Sequence, residues 1–496
     1  MSTSAPTSGW SSSLAVASGY LVTVTPGAGG SVLMQWTADG TTWQAFTNDP
    51  ISSAGTFAIP VGATYLRGLG IGAAGSFSAV AGPADIGTLT AAQAALLTQR
   101  GRRTARMRFG RADNDGVTSP INVTTVRTEQ QMWRFPFDIY GWRIGFQSNL
   151  AADQAFSLCK YAIFTPADSS VTTALDLSGL NGKTPTAITF SGSSGATVPK
   201  QVATDSPGAI VWSDWVYDPI AANQILGVRT LWSNAGGKIP YSATSLNGSL
   251  LISYAPNILT AHWTDGASDR VTSWTSWSTT SSNADGNLSI PYIEVLTSRR
   301  VQQVAYVGDS HMAGQVDSGN SPLPPCWALC EAMSTPAVQF VPFHRGWGGK
   351  EAAGTGGYHD LYALDVINNH APDILFYQAW SQNDTDQTHD SAEIALAMDI
   401  VTRCRLAGIV PVLVTGVPIH GGGTSMETAR LALNTVIRSC GEIVSDRDAA
   451  ISNNATPVAD YAAAYLGSSP YAHPNLAGYA AYLAADLVAG KAAAGL

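Results

Sequence analysis

Val304-Ala305-Tyr306-Val307-Gly308-Asp309-Ser310-His311 is a short apolar run that stops abruptly at Gly-Asp-Ser. Such a run, bounded by a turn signal, reads as a buried parallel strand. Ligands of open α/β sheets sit beyond the carboxyl ends of the strands, so this run delivers Ser310 to the rim of a cleft. A serine hydroxyl is a poor nucleophile until a base takes its proton. The rest of the chain must then supply a base and donors for an oxyanion.

Far downstream, His473-Pro474-Asn475-Leu476-Ala477-Gly478-Tyr479 opens an Ala/Leu-rich helix. An unperturbed histidine titrates near neutrality, which suits His473 to proton transfer. Pro474 falls in the first helical turn, where a missing N–H costs little. Between the two lie Gly346-Trp347-Gly348-Gly349 and Trp380-Ser381-Gln382-Asn383-Asp384, each following an apolar, strand-like run.

This ordered set resembles the four blocks of the SGNH (GDSL-like) hydrolase family, over roughly residues 301–496. The resemblance implies a three-layer α/β/α domain with a parallel sheet and a serine ester hydrolase without a cofactor. It implies Ser310 as nucleophile, His473 as base, and oxyanion donors from Ser310, Gly349 (Gly348 if the glycines slip by one) and Asn383. Asp309 and Asp384 are expected to brace loops rather than react. Two positions depart from the family pattern. Ser381 stands where the third block begins with glycine, a mild change if the backbone is unstrained. Pro470 stands three residues before His473, where the family has an aspartate. Losing the group that holds the imidazole tautomer can cost about 10⁴ in rate. Three outcomes stay open: a backbone carbonyl in 466–470 orients His473, a carboxylate such as Asp460 reaches in, or the site is slow or inactive.

The alternation of strands (303–308, 338–343, 373–379, 409–416, 441–446) with helices (325–334, 391–407, 424–440, 474–491) agrees with crossover-connected parallel strands. Residues 1–90 read as a small β-sandwich, with Asp39-Gly40 as a hairpin turn. Residues 91–111 read as a linker helix and a basic segment containing Arg100 to Arg111, a solvated linker and edge strand in preference to a docking site. Residues 112–300 read as a jelly-roll-like β domain, with strands near 133–147, 156–164, 209–214, 224–231, 249–254 and 288–297. Many bacterial members of the family carry such a domain before the Gly-Asp-Ser strand.

Charged residues make up only 12% of the chain and the net charge is −9, which argues against nucleic acid as the main partner. No apolar run is long enough to span a bilayer. The five cysteines match neither a zinc site nor a disulfide framework, and are expected to be free thiols. His344, His359 and His389 follow no ligand spacing, so no metal is expected. Trp263, Trp274 and Trp277, and Trp347 and Trp380 beside the motif loops, are candidate sugar-stacking residues, with core packing as the other reading. The expected activity is a carbohydrate O-acetyl esterase acting on a bacterial polysaccharide. The alternatives are a glycan-binding module with a weak or inactive site, and an acyltransferase. The N-terminus lacks a signal-peptide pattern. Together with the low-charge Gly/Ser/Thr-rich β modules, it resembles phage-type virion fibre or spike proteins. That resemblance implies attachment of 1–90 to another virion protein, a homotrimer, and a virion or extracellular location, with a cytoplasmic esterase as the alternative.

Overall fold

The computed structural model describes the strands between residues 2 and 81, and residues 104–108, 126–148, 150–164, 184–202, 207–233 and 290–297. It also describes 301–496 apart from 317–318, 321–324, 354–356, 385–389, 420–422, 456–458 and 467–472, with 28, 239, 262–263, 269 and 271 as short pieces. Two compact units emerge, Met1–Arg102 and Arg103–Leu496.

The first unit holds two four-stranded antiparallel sheets. One orders its strands Ser2–Ala5, Gly75–Ala81, Tyr20–Thr25, Gly55–Ala58; the other Leu14–Ala15, Tyr65–Ile71, Ser31–Thr37, Gln44–Ala45. Val24, Val32, Met34 and Leu66 are fully buried. Asp39-Gly40 and the expected helix at 88–99 lie outside the described residues.

The second unit is organised by a nine-stranded mixed sheet. In chain order its strands are β1 (Thr104–Arg108), β2 (Gly141–Phe146), β3 (Val211–Trp212), β4 (Tyr292–Leu296), β5 (Val301–Gly308), β6 (Gln339–Gly346), β7 (Ile374–Gln378), β8 (Val410–Val414) and β9 (Ile443–Ser445). The spatial order is β3-β2-β4-β1-β6-β5-β7-β8-β9. The first three pairings are antiparallel and the rest parallel. The order of connection in the parallel half therefore reverses at β5, which has β6 on one side and β7 on the other. A crevice at the carboxyl ends is expected at that reversal. The helices are α1 (Ser310–Ala313), α2 (Pro325–Met333), α3 (Asp390–Leu406), α4 (Thr424–Ser439), α5 (Arg447–Ile451) and α6 (Leu476–Ala494). Two turns of i→i+5 helix, His359–Ala363 and Val366–His370, link β6 to β7. Every side chain of β5 is buried, as a strand covered on both faces requires. Val304 and Tyr306 enter one core, Ala305 and Val307 the other.

A second, antiparallel sheet contains Thr186–Ala187, Gln154–Phe164, Ile225–Trp232, Arg127–Arg134 and His262–Trp263 in that order. The expected strand at 133–147 is thus two strands in different sheets, broken after Arg134. Phe146, Phe156, Phe190 and Trp232 pack between the sheets with ring centroids 4.6–5.8 Å apart.

The basic segment differs most from expectation. Thr104–Arg108 is no solvated linker or edge; β1 lies between β4 and β6 and carries the sheet across residue 300. Ala105 and Met107 face the core, 3% and 1% exposed. The alternate arginines find partners: Arg108 donates to the His344 carbonyl (2.7 Å) and the Tyr292 hydroxyl (3.2 Å), and Arg106 to Glu294 (3.2 Å). Burial lowers the Arg108 pKa to about 10. The arginine density concealed a period-two strand pattern. All five cysteines are free thiols, four of them buried. Among the described residues no group could hold a metal ion, and no helix is long and apolar enough to cross a membrane.

Candidate active site at the carboxyl ends of the parallel strands

Strand β5 ends at Gly308, and Ser310 opens the short helix α1. Asp309 caps that helix, its Oδ1 accepting the His311 N–H at 2.9 Å. The Asp309 N–H donates to Gln378 Oε1 (3.0 Å) at the end of β7, and Gln378 Nε2 donates to the Trp380 carbonyl (2.7 Å). Gly346, at the end of β6, lies so close to α1 that a Cβ there would fall 2.4 Å from the Ala313 nitrogen. Only glycine allows that approach, and Trp347 N–H then bonds the Gly308 carbonyl at 2.9 Å. Three adjacent strand ends thereby fix one turn, in which Ser310 is 2% exposed.

His473 Nε2 lies 2.7 Å from Ser310 Oγ. The residues after His473 are anchored to the chain before it. Asn475 caps α6 by accepting the Gly478 N–H (3.0 Å), and its Nδ2 donates to the carbonyls of Ala464 and Leu466, both at 3.0 Å. The Asn475 N–H donates to the Tyr465 carbonyl at 2.9 Å. Pro470 and its neighbours lie outside the described residues. Asp460 Oδ1 accepts the Tyr461 N–H at 2.7 Å.

Ser381, the residue in the usual glycine position, ties the loops together. Its hydroxyl is 2.8 Å from both Asp309 Oδ2 and the Lys350 carbonyl, and it accepts the Asn383 N–H at 3.1 Å. Asn383 Nδ2 is 3.1 Å from both the Lys350 carbonyl and Ser381 Oγ, so its two hydrogens are directed within the loops. Gly349 is exposed with φ +74°, whereas Gly348 is buried. Asp384 Oδ1 accepts the N–H groups of Ala352 (3.0 Å) and Ala353 (3.4 Å), clamping the segment after the glycines. Burial raises the carboxyl pKa of both Asp309 and Asp384; at Asp309 the donated N–H and O–H groups oppose it, and at Asp384 the Glu393 side chain and backbone N–H groups do.

His311 is 2% exposed, with its ring centroid 5.0 Å from that of His473. The Tyr482 hydroxyl lies 3.3 Å from its Nδ1. Its Nε2 and the nearby Gln382 Oε1 make no hydrogen bond within ordinary limits, although Gln382 favours the charged ring. Burial is the stronger influence and lowers the pKa to about 4. His311 is therefore neutral near pH 7.

Beneath the Ser310 turn lies a buried ionic group that sequence reading missed. Asp486 of α6 accepts from Arg447 Nε (3.0 Å) and Nη2 (2.6 Å), from Ser445 (2.5 Å) and from Tyr306 (2.8 Å). Arg447 Nη1 reaches the His311 carbonyl at 3.5 Å. A lone carboxylate in an Ala/Leu-rich helix is the signal that could have revealed it. Likewise, Gln378 is the one polar residue of the Ile374–Gln378 run.

The tryptophans beside the motifs are core residues. Trp347 and Trp380 are 6% and 4% exposed; Trp347 packs on Tyr362 with centroids 5.0 Å apart, and Trp380 lies over Gly416. Trp274 and Trp277 lie outside the described residues, as does His389. His359 meets Tyr377 (3.3 Å) and Asp399 (3.5 Å), while His344 is buried within β6.

No family model and no curated protein sequence matches the chain. Solved structures do align with it at low identity. A family two carbohydrate esterase from Clostridium thermocellum, in complex with cellohexaose, is 11% identical, with TM-score 0.31, covering 79% of this chain and 99% of that one. An acetylxylan esterase from Geobacillus stearothermophilus is 16% identical, with TM-score 0.29, covering 38% of this chain and 94% of that one. The lipase/acylhydrolase from Enterococcus faecalis is 16% identical, with TM-score 0.28, covering 39% and 97%.

Proposed function

We propose that this protein is a serine ester hydrolase of SGNH type, acting as a carbohydrate O-acetyl esterase. The observation that carries the proposal is the 2.7 Å contact between His473 Nε2 and Ser310 Oγ. That distance is within the range for direct proton transfer from nucleophile to base. Ser310 Oγ attacks the acetyl carbonyl as its proton passes to His473. The tetrahedral oxyanion forms, and His473 returns the proton to the leaving sugar oxygen. Water then repeats the sequence and releases acetate, restoring Ser310.

The oxyanion is assigned to the N–H groups of Ser310 and Gly349 and to Asn383 Nδ2. Each such donor is worth roughly 2.7–4 kcal/mol when aimed at the developing charge. Asn383 must release the Lys350 carbonyl or Ser381 Oγ to join them. The histidine-orienting group is assigned to a backbone carbonyl in 466–470, with Asp460 as the second choice. The polysaccharide substrate and a phage-type virion setting, with 1–90 as the attachment part and a homotrimeric assembly, rest on sequence character alone.

The test is p-nitrophenyl acetate turnover by the wild type and by Ser310→Ala, followed by acetate release from O-acetylated polysaccharides measured by NMR. Equal turnover by the two proteins would sink the hydrolase reading and leave a glycan-binding module. Turnover of the small ester without release from any acetylated polymer would sink the substrate assignment alone. Dependence of turnover on an added acceptor sugar would favour an acyltransferase.

A further inference from the structure

The cap of α1 carries a charge that capping does not need. Asparagine caps a helix as well as aspartate does, and burying a carboxylate penalises its charged form. Asp309 is nevertheless an aspartate with 0% exposure. Both of its oxygens are held by donors: Oδ1 accepts the His311 N–H at 2.9 Å and Oδ2 the Ser381 hydroxyl at 2.8 Å. Burial raises the carboxyl pKa, and these donors oppose it by favouring the ionised form.

The charge lies beside the Ser310–His473 contact. Asp309 is the chain neighbour of Ser310, with Cα atoms about 3.8 Å apart, and Ser310 Oγ meets His473 Nε2 at 2.7 Å. The His311 ring, whose own N–H Asp309 holds, has its centroid 5.0 Å from that of His473. An ionised Asp309 and a protonated His473 therefore attract each other. Buried charges are little screened by salt. The other ionisable groups around Asp309 are neutral or matched. Burial chiefly, with the Asp309 charge among the lesser causes, keeps Tyr358, Tyr461 and Tyr482 protonated. Burial also keeps His311 neutral near pH 7. Arg447 is paired with Asp486, and Lys350 Nζ lies over the Trp347 ring at 4.6 Å.

We propose that Asp309 is the charge partner of His473, in a chain that has Pro470 where the resembling family has its aspartate. The inference rests on the reading of Ser310 and His473 as nucleophile and base. As the Ser310 proton passes to His473, the imidazolium forms beside a carboxylate that is already ionised and fixed. No proton moves to Asp309, which keeps its negative charge throughout. It is a positioning residue that acts through His473 and not on the substrate. Orientation of the ring stays with the backbone carbonyl assigned above. Asp309 thus serves the reaction as well as the α1 cap, and the two roles separate in Asp309→Asn. The asparagine Oδ1 still accepts the His311 N–H, and its Nδ2 can donate to the Ser381 hydroxyl, so the cap survives while the charge is lost.

NMR titration of the histidine side chains in the full chain tests it, with His473→Gln identifying the His473 signal. This readout needs no turnover. Asp309→Asn should lower the His473 titration midpoint by about one pH unit. It should lower kcat for p-nitrophenyl acetate about tenfold with KM little changed, since one such unit is tenfold in equilibrium. Ser381→Ala strips one donor from the carboxylate and should move the midpoint the same way by a smaller amount. A midpoint that stays or rises in Asp309→Asn overturns the proposal, and a fall in kcat without that shift marks a brace alone. If Asp309→Asn does not fold, Ser381→Ala decides, and an unmoved midpoint there overturns the proposal. A wild type that cleaves no ester while the midpoint still falls would sink the hydrolase reading and leave the charge partnership standing.

Discussion

The two halves of the Ser310–His473 pair are built in different ways. The Ser310 turn is buried and held from several sides, by the Asp309 cap, by Gln378, by the Ser381 hydroxyl and by Arg447 beneath it. The histidine sits at the mouth of a helix and is placed through Asn475, which caps α6 and grips the 464–466 backbone. One half is enforced by buried polar groups that are costly to leave unpaired; the other includes a helix cap worth about 1 kcal/mol. Geometry at Ser310 should therefore resist perturbation until a buried partner is removed, while geometry at His473 should shift under small changes.

The largest expected effect is on the chemistry itself. Ser310→Ala should lower kcat/KM for p-nitrophenyl acetate by at least about 10³-fold, with the circular dichroism spectrum unchanged. Next comes the foundation of the Ser310 half. Asp486→Ala leaves Arg447 buried without its carboxylate, which should destabilise by roughly 3–5 kcal/mol in urea titration. A loss below about 1 kcal/mol would show that the ionic group is not what anchors α6.

Acid sensitivity should also reside in the Ser310 half. Burial holds His311 at about 4, against an ordinary 6.5, so between these values the unfolded chain binds a proton that the folded chain refuses. The contribution is complete above pH 6.5 and is lost as pH falls toward 4, amounting to roughly 2–4 kcal/mol. His311→Asn should flatten the fall in melting temperature across that window. An unchanged slope would place the acid sensitivity elsewhere.

The smallest effect on stability should come from the histidine half. Asn475→Ala should cost about 1 kcal/mol of folding free energy. Its kcat should nevertheless fall about tenfold with KM little changed, because His473 is displaced while substrate contacts stay in place. A fall in stability without a fall in kcat would separate the cap from catalysis.

Much of this architecture was legible in local sequence. The apolar runs ending at Gly308, near Gly346 and at Gln378 each bury both faces, so they read as inner parallel strands without any knowledge of neighbours. The bracing role of Ser381 is not legible in the sequence because its partners, Asp309 and Lys350, are distant along the chain. Thr104–Arg108 reads as a solvated linker and edge strand because its arginines look solvated until Glu294, Tyr292 and the His344 carbonyl are seen beside them. Trp347 and Trp380 illustrate the same limit, since an aromatic near a motif reads alike whether it walls a cleft or fills a core.

What the sequence determined by itself was the set of motif residues and the strand and helix ends that carry them, because periodicity, glycine and helix-cap chemistry are local properties. Tertiary structure decided how those groups are held. The 2.7 Å contact joins residues 163 positions apart, and the Ser381 bridge joins the strand ends of β5, β6 and β7. Such contacts depend on burial and register between distant strands, which no local pattern encodes.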